Sequence, residues 1–348
     1  MSQPTSSPLD ILPAPRPPFM VKDTFVVKAD LFPLGNVYNG HREERHFAVD
    51  AELPRFVRAK LASLREAAER HHVRATDDPA GLVEALWRIL GLYAAEWPQL
   101  LLVSEPDLVD LRLHGIRLDG RLDRSAPTIE RLPGLTPLGA EVAAWLDGRT
   151  GIDRLADALA LSCQEDLVLM CGFPDGSDVA EWLHVCVPSG WDPAEKVGRS
   201  FQEIHVPVAD NARLVASGPN VVKAMIGKGP YVRFGWGLTT NPDLNGHPAR
   251  RPASAASPGK TPAEVAALTY LRMERQTTLA MPDLARSLFT VRISLDPLVD
   301  RLAAEPALRP RLASLLASCT PDVIAYKGMS DLAAPILAWL EEPDHPGG

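Results

Sequence analysis

Two histidines lie inside apolar runs in the middle of the chain, where an imidazole can serve either as a ligand or as part of the core. His184 belongs to VAEWLHVCVP and His205 to FQEIHVPV, and we interpret both settings as strand-like. A lone histidine among apolar residues is more often a hydrogen-bonded core side chain than a functional group. The residues that surround the two histidines therefore decide between these interpretations.

A third segment, YLRMERQTTL, carries more charge than an ordinary strand. Strand alternation places one set of its side chains on the same face, namely Tyr270, Arg272, Glu274 and Gln276. The other face carries Leu271, Met273 and Arg275, and Arg233 and Arg292 lie on neighbouring predicted strands. A solvated sheet face crossed by ion pairs would show the same pattern.

Aromatic residues accompany these charges, and they are equally typical of a core: Trp182, Trp191, Tyr231, Phe234 and Trp236. An imidazole, guanidinium groups and apolar walls are together the parts that hold a haem, because it needs an axial ligand, partners for two propionates and a slot for the macrocycle. The same parts would serve a pocket for any apolar carboxylate. The residue types alone therefore allow either a haem site or a pocket for another apolar carboxylate.

Other catalytic templates are missing from the sequence. It contains no GxGxxG after a predicted strand, no Walker loop, no GxSxG elbow and no HExxH. We place His71 and His72 at the polar end of a helix, where they favour its C-terminus rather than hold a metal. The four cysteines form no CxxC pair, so we expect reduced, buried thiols.

Charge and hydropathy exclude further classes. The net charge of -8, without a concentrated basic stripe, argues against nucleic acid as a partner. No stretch approaches the roughly 20 apolar residues of a membrane span, and the first residues lack the pattern of a signal peptide. We expect no membrane association and a cytoplasmic location.

The N-terminal third shows helical periodicity. DAELPRFVRAKLASLREAAERHH places an apolar face along a helix with Asp50 as its cap, and Asp78 followed by Pro79 begins a second helix. TPLGAEVAAWLDG and GIDRLADALAL suggest further helical or mixed structure. The last 50 or so residues are again helical.

Five strands are predicted between these helical parts, in DLVLMCGF, VAEWLHVCVP, YVRFGWGL, YLRMERQTTL and SLFTVRISL. The last alternates as a half-buried strand does. WDPAEKVG predicts a helix of about two turns capped by Asp192, and the segment 211–228 predicts a helix broken by Gly218 and Pro219. The fold class is therefore α+β, with short helices inserted in an antiparallel sheet and helices at both ends. A PAS-like sensor fold fits this pattern, as do many others.

We divide the chain into a proline-rich N-terminal segment, residues 1–45, which we expect to be partly mobile, and a single domain over 46–345. The core of that domain lies at about 160–300. A second proline-rich stretch, residues 245–262, is expected to form a mobile loop.

Several blocks resemble, in order, those of the haem-dependent oxidative N-demethylase family: QEDLVLM, CVPSGWDPAEKVGRSFQEIHVPV, YVRFGW and YLRMERQTTLAMPDLARSLFTVRISLDPL. The resemblance implies a PAS-like fold that binds haem b and uses oxygen and external electrons to oxidise a methyl group of a small secondary amine such as dimethylamine. Formaldehyde and the shorter amine would be the products. Flavin and iron–sulfur cofactors would lie only on separate partner subunits, so a reductase would be required.

The resemblance also assigns roles to residues. His205 becomes the axial ligand of the haem iron, with His184 as the alternative. The candidates for propionate contacts, or for pairing with Glu274, are basic residues: Lys196, Arg233, Arg272, Arg275 and Arg292. Trp191 and Trp236 would line the pocket, and the catalytic candidates are Glu274, Arg275 and Trp236.

Two positions depart from the family pattern. Gly235 stands where an asparagine is usual, and Ala209 stands where a proline is common. The glycine removes a polar side chain beside the expected pocket, so the substrate or the activity can differ. The alternatives to an enzyme are a non-catalytic haem-binding sensor and a haem-free ligand-binding protein.

Overall fold

The structure, a computed structural model, describes residues 12–15, 23–38, 41–250 and 259–342. Its strands are β1 (Phe32–Pro33), β2 (Val37–Tyr38), β3 (His41–Arg42), β4 (His72–Arg74), β5 (Leu101–Glu105), β6 (Leu108–Leu111), β7 (Ile116–Asp119), β8 (Thr128–Arg131), β9 (Asp166–Gly172), β10 (Asp178–His184), β11 (Tyr231–Thr239), β12 (Tyr270–Met281) and β13 (Arg286–Pro297). Parts of the segments expected to be mobile, 1–11, 16–22 and 251–258, lie outside the described residues.

The helices alternate with these strands and surround them. They are α1 (Leu53–His71), α2 (Pro79–Glu96), α3 (Pro137–Asp147), α4 (Gly151–Ala160), α5 (Phe201–His205), α6 (Ala212–Gly227), α7 (Pro262–Leu268), α8 (Leu298–Ala304), α9 (Leu308–Ala317), α10 (Pro321–Tyr326) and α11 (Ala333–Glu341). Within the described ranges, none of them is both long enough and apolar enough to cross a lipid bilayer.

A seven-stranded antiparallel sheet forms the centre, in the order β1-β11-β12-β13-β9-β10-β4. The five predicted strands are its five central members, which confirms the α+β class with an antiparallel sheet and inserted helices. β12 and β13 pair over their full lengths, with Arg275 opposite Arg292. Because opposite residues share a face, this register fixes which side chains lie together.

We call the side of the sheet that carries Arg233, Glu274 and Gln276 the pocket face, and the opposite side the rear face. On the pocket face, Val168 and Leu183 pack against apolar residues of α5 and α6. The rear face packs against α1, α2 and α4 at β9 and β10, and against α9 and α11 at β11 and β12. Both faces of the sheet are therefore covered, and each central strand contributes buried residues to both faces.

This double coverage overturns one prediction. SLFTVRISL was expected to be half-buried, yet Thr290 is 1% exposed, Val291 8% and Arg292 8%. The polar residues of this strand, Thr290 and Arg292, are buried because α1 lies over them. The guanidinium of Arg292, for example, stacks on the ring of Phe56 in α1 at 4.2 Å. The charged strand β12 is likewise not solvated, since Arg272 on the pocket face and Arg275 on the rear face are both buried.

The N-terminal third, predicted to be helical, also contains a second sheet that was not predicted. α1, α2, α3 and α4 are present, but β5 to β8 form a four-stranded antiparallel sheet between α2 and α3. These strands have four or five residues each and carry cross-strand charges, as in the Arg117–Asp110 pair at 2.7 Å. Such short, charged strands give a weak periodic pattern.

A side-chain cap explains where α2 begins, whereas α1 begins without one. Asp78 accepts a hydrogen bond from the amide of Gly81 at 2.9 Å, so the predicted start of α2 is confirmed. α1 instead begins after Glu52, and its N-cap makes no side-chain hydrogen bond. Asp50 was therefore wrongly assigned as the cap, because its carboxylate pairs with Arg292 at 2.7 Å.

The strand-like interpretation of FQEIHVPV was also wrong. Ser200 and Glu203 form a reciprocal capping box, and the following residues wind into α5, which ends at His205. The predicted two-turn helix in WDPAEKVG is a single 3₁₀ turn, Pro193–Glu195, although Asp192 does cap it by accepting from Ala194 at 2.8 Å.

α6 continues through the two residues that were expected to break it. Pro219 lies in its interior and has no amide hydrogen for the carbonyl of Val215. Gln202 of α5 donates its side-chain amide to that carbonyl at 3.1 Å. Gly218 allows this approach, because a Cβ there would lie 2.9 Å from Cγ of Gln202. A tertiary contact thus replaces the missing helical hydrogen bond.

Candidate functional site

His205 occupies the last position of α5. Its Nδ1 lies 2.7 Å from the carbonyl oxygen of Phe201, and its ring stacks on the Phe201 ring at 4.1 Å. A carbonyl only accepts, so Nδ1 carries the proton and Nε2 carries the lone pair. No hydrogen bond joins Nε2 to the part of the chain that the structure describes. This is the tautomer that a metal-ligating histidine needs.

The surroundings also keep His205 neutral. Burial is the largest cause and lowers the pKa of His205, and the nearby charges of Arg233 and Lys196 lower it further, while the Phe201 carbonyl acts in the opposite direction. Two predicted cofactor contacts, Arg233 and Lys196, thus lie close enough to His205 to act on its charge. A neutral imidazole is the form that binds a metal.

Arg233 provides a partly buried cation on the pocket face. Its Nε has no hydrogen-bond partner among the described residues, and neither has Oε1 of Gln276, its cross-strand neighbour. Burial lowers the pKa of Arg233, and the charge of Glu274 is the largest influence in the other direction. Buried donors are normally satisfied, so an unpaired guanidinium nitrogen points to an anionic partner.

Glu274 lies on the same face as Arg233, two residues before Gln276, which is the cross-strand partner of Arg233. Its Oε2 accepts a hydrogen bond from Nε2 of Gln276 at 2.6 Å. Within the described ranges, no ion pair joins Glu274 to any of the predicted arginines. Gly235 lies directly opposite, and a Cβ on it would be 3.4 Å from Oε2 of Glu274. This is an ordinary van der Waals distance, so a Cβ at position 235 would fit against the Glu274 side chain.

Two residues near Glu274 were not singled out from the sequence. Lys327 donates to the carbonyl of Trp236 at 2.7 Å, and burial lowers its pKa while Glu274 raises it. Burial raises the pKa of Tyr326, and the charge of Glu274 adds to this shift. Both belong to the block YKGMSDL, which shows no periodic pattern of its own. Their proximity to Glu274 arises only from the tertiary fold.

Arg272 shares the pocket face but is fully engaged by the protein. Its guanidinium donates to Oγ of Ser189 at 2.7 Å and to the carbonyls of Val187, Pro188 and Leu244 at 2.9 to 3.1 Å. Burial lowers its pKa, and Glu274 is the largest opposing influence. Arg272 therefore ties two loops to the end of the sheet.

The structure places three other predicted residues on the rear face. Arg275 pairs with Glu43 at 2.6 Å and donates to the carbonyl of His46 at 3.0 Å. Arg292 pairs with Asp50, as described above. Trp236 packs edge-on against Phe25, with ring centroids 6.3 Å apart. Arg275, Arg292 and Trp236 are thus separated from Glu274 by the thickness of the sheet.

Trp191 and Lys196 flank the 3₁₀ turn at the other end of the site. Trp191 packs against the apolar cluster between the sheet and α5 and α6. The turn is followed by Gly198, which adopts a φ of +75° and donates its amide to the Ala180 carbonyl at 2.9 Å. The chain therefore returns to the sheet just before the Ser200 cap, which places α5 over β10.

His184 has a different environment. It is fully buried on the rear face, with Nε2 3.1 Å from Oδ1 of Asp157 and Nδ1 3.7 Å from Sγ of Cys186. Burial is the largest cause of the shift that lowers the pKa of His184 to about 4, and Asp157 opposes it. Both ring nitrogens of His184 contact polar protein atoms, whereas Nε2 of His205 makes no hydrogen bond within the described ranges.

On one side of its sheet this α+β domain carries a histidine with a lowered pKa and a cation, and Nε2 of the histidine and Nε of the cation have no partner among the described residues. Such a combination is typical of cofactor-binding proteins. A comparison with known families agrees with this description. The family model described as haem-dependent oxidative N-demethylase, alpha subunit-like, matches residues 143–337, more than half of the chain. The chain belongs to this family, whose description indicates haem dependence and a multi-subunit system.

Proposed function

We propose that this protein is a haem-dependent oxidoreductase that removes a methyl group from a small or secondary-metabolite amine. It would use O₂ and electrons from a partner reductase. Family membership supports the reaction class. The observation that carries the assignment to this site is the free Nε2 of His205, held beside the charges of Arg233 and Lys196.

The residues on the pocket face fit haem b. Nε2 of His205 would bind the iron, while the hydrogen bond from Nδ1 to Phe201 fixes the orientation of the ring. The unpaired Nε of Arg233 and the ammonium of Lys196 would neutralise the propionates. When bound, the haem iron supplies the oxidation chemistry with O₂. Arg272 is a weaker candidate, because protein carbonyls already occupy its donors.

Glu274 would hold the substrate. A secondary amine is an ammonium ion near neutral pH, and a carboxylate on the wall of the pocket attracts it. Gln276 fixes the carboxylate from one side at 2.6 Å, and the alkyl groups would lie near Gly235, which has no side chain and faces Glu274 across the strands. We assign Arg275 and Trp236 supporting roles on the rear face.

Two further assignments accompany this proposal. The five central strands, with a 3₁₀ turn, α5 and α6 inserted between the second and third of them, support a PAS-like interpretation of the domain. The alpha-subunit description supports separate partner subunits, and we propose that these carry the flavin and the iron–sulfur cluster.

Visible absorption of the haem-loaded protein tests the iron ligand. His205→Ala should weaken or shift the Soret band strongly, and free imidazole added to His205→Gly should restore it. His114→Ala is the matched control, because His114 is a buried histidine whose ring bonds to the Leu161 carbonyl at 2.9 Å. An unaltered Soret band in His205→Ala would remove His205 as the ligand.

Turnover tests the reaction. With a surrogate reductase and oxygen, dimethylamine or a larger N-methylated amine should yield formaldehyde, and Glu274→Gln should raise the KM by removing the charge that binds the ammonium. Haem binding without formaldehyde release from any of these amines would favour the alternative, a non-catalytic haem-binding sensor.

A further inference from the structure

A second group of ligand-type side chains lies on the rear face, away from His205. His72 of β4, Asp157 of α4 and His184 of β10 each present one donor atom, and these atoms all lie within 4.8 Å of one another. The cluster is enclosed, because His184 and Asp157 are fully buried and the side chain of His72 is 2% exposed. It joins the edge of the sheet to the helix that covers it.

One of the two contacts with Asp157 in this cluster lacks hydrogen-bond geometry, whereas His184 does bond that carboxylate. Nδ1 of His72 lies 2.7 Å from Oδ1 of Asp157, yet neither ring nitrogen of His72 has a partner with hydrogen-bond geometry among the described residues. Nε2 of His184 lies 3.1 Å from the same oxygen. A buried imidazole with no satisfied nitrogen requires an explanation, and a shared cation supplies one.

We propose that His72, Asp157 and His184 form a binding site for a divalent transition metal, for which zinc is the probe. Two imidazoles and one carboxylate are a donor set that zinc accepts. The ligand atoms would be Nδ1 of His72, Nε2 of His184 and Oδ1 of Asp157. The other carboxylate oxygen is already bound, since Oδ2 of Asp157 accepts from Nε1 of Trp145 at 2.8 Å and contacts Nε of Arg149 at 2.8 Å.

The remote nitrogen of each histidine faces a protein group. Nδ1 of His184 lies 3.7 Å from Sγ of Cys186, a contact that can orient this imidazole. Nε2 of His72 lies 4.0 Å from Oδ1 of Asp153, which is too far for a hydrogen bond. Asp153 also brings a second negative charge, which offsets the positive charge of Arg149, 3.5 Å away.

The two spacings from the carboxylate require only a small adjustment. Metal–ligand bonds of about 2.0 to 2.1 Å at tetrahedral angles separate neighbouring donor atoms by roughly 3.3 Å. The observed separations from Oδ1 of Asp157 are 2.7 and 3.1 Å, so the side chains would move apart by a few tenths of an ångström. The bound ion would hold β4 and β10 to α4, a structural role separate from the pocket face.

Zinc analysis of the full-length, haem-loaded protein tests this site, because zinc is counted independently of the haem iron. After incubation with zinc and removal of the excess, the wild type should retain one zinc ion per chain. His72→Gln and His184→Gln should retain none. His114→Gln, which removes an equally buried histidine elsewhere, should keep the zinc, and so should His205→Ala.

The melting temperature of the wild type provides a measurement that needs no variant. Zinc should raise it and a chelator should lower it, because a ligand that binds only the folded state stabilises that state. If the wild type retains no zinc and melts at the same temperature with zinc as with chelator, the proposal is overturned and the cluster is a hydrogen-bond network only. Zinc retained equally by His72→Gln and His184→Gln would also overturn it.

Discussion

The side-chain amide of Gln202 donates a hydrogen bond to the main-chain carbonyl of Val215 at 3.1 Å. Pro219 deprives that carbonyl of its helical donor, so a residue of α5 completes a hydrogen bond of α6. The two helices that cover the pocket face are thereby joined at their closest approach. Since His205 ends α5, this contact also positions the proposed iron ligand.

Gln202→Ala should lower the free energy of unfolding by about 1 kcal/mol, because one hydrogen bond is lost near the surface. In a Pro219→Ala background the new amide can reach the Val215 carbonyl, and the cost of Gln202→Ala should shrink. Urea unfolding of the four proteins of this cycle measures the coupling. Equal costs in both backgrounds would show that the contact does not replace the helical bond.

Gly139→Ala in α3 should destabilise the protein by about 3 kcal/mol, because it overpacks a closely packed position. A Cβ at this position would lie 1.8 Å from the main-chain oxygen of His114, which cannot move independently. Gly91→Ala in α2 is the matched control, since nothing lies within 4 Å of its Cβ, and it should stabilise by roughly 0.5 to 1 kcal/mol. Thermal unfolding of both variants gives the comparison, and similar effects of the two would contradict it.

Arg275→Ala should release the N-terminal segment from the sheet. The substitution removes the partner of Glu43 and the donor to the carbonyl of Arg45, and a loss of about 3 kcal/mol is expected for a mostly buried pair. Hydrogen exchange should show faster exchange of residues 41–50 in this variant. Arg42→Ala, which removes an exposed pair with Glu44, should leave exchange unchanged. Unchanged exchange in Arg275→Ala would rule out this anchoring role.

His114 should make the protein sensitive to mild acid. Burial lowers its pKa from 6.5 to about 4, so the unfolded chain binds more protons than the folded chain between these values. Its stabilising contribution is therefore present above pH 6.5 and is lost as the pH falls towards 4. His114→Gln should reduce the slope of unfolding free energy against pH by up to about 1.4 kcal/mol per unit in this window. Above pH 7 the two slopes should agree, and equal slopes at all pH values would refute the prediction.

Gly235→Asn tests the space beside Glu274 and rests on the proposed function. The Cβ would lie 3.4 Å from Oε2 of Glu274, a contact that the carboxylate can accommodate, so the variant should fold and bind haem. The added side chain should lower kcat/KM for bulky amines about tenfold more than for dimethylamine. A proportional loss for all amines would instead indicate a general disturbance of the site.

Much of the fold is readable from the sequence because local patterns agree with the tertiary structure. α2 carries its cap, its first-turn proline and a continuous apolar stripe, and β12 and β13 are long enough for alternation to be clear. α5 is a conflict between two local signals. The apolar run favours a strand, whereas the Ser200–Glu203 capping box favours a helix, and the capping box prevails.

The candidate site is less accessible to such patterns, because its contacts join distant parts of the chain. Arg275 pairs with Glu43, which lies 232 positions away in the sequence, and Arg292 pairs with Asp50, which lies 242 positions away. Periodicity shows that these arginines share a face but cannot name their partners. The resemblance singles out His205, and only the structure shows that its Nε2 is free while both nitrogens of His184 have protein neighbours.

The short strand β4 has a consequence for how this domain can be divided. It pairs with β10 along the outer edge of the sheet, yet it lies about 70 residues before the segment that the family model matches. A fragment that starts at residue 143 would lose this cover together with α1 and α2, and would expose the backbone of β10 and an apolar sheet face. Unprotected edges recruit strands from other molecules, so such a fragment should aggregate. The most recognisable part of the chain is therefore not its autonomous folding unit.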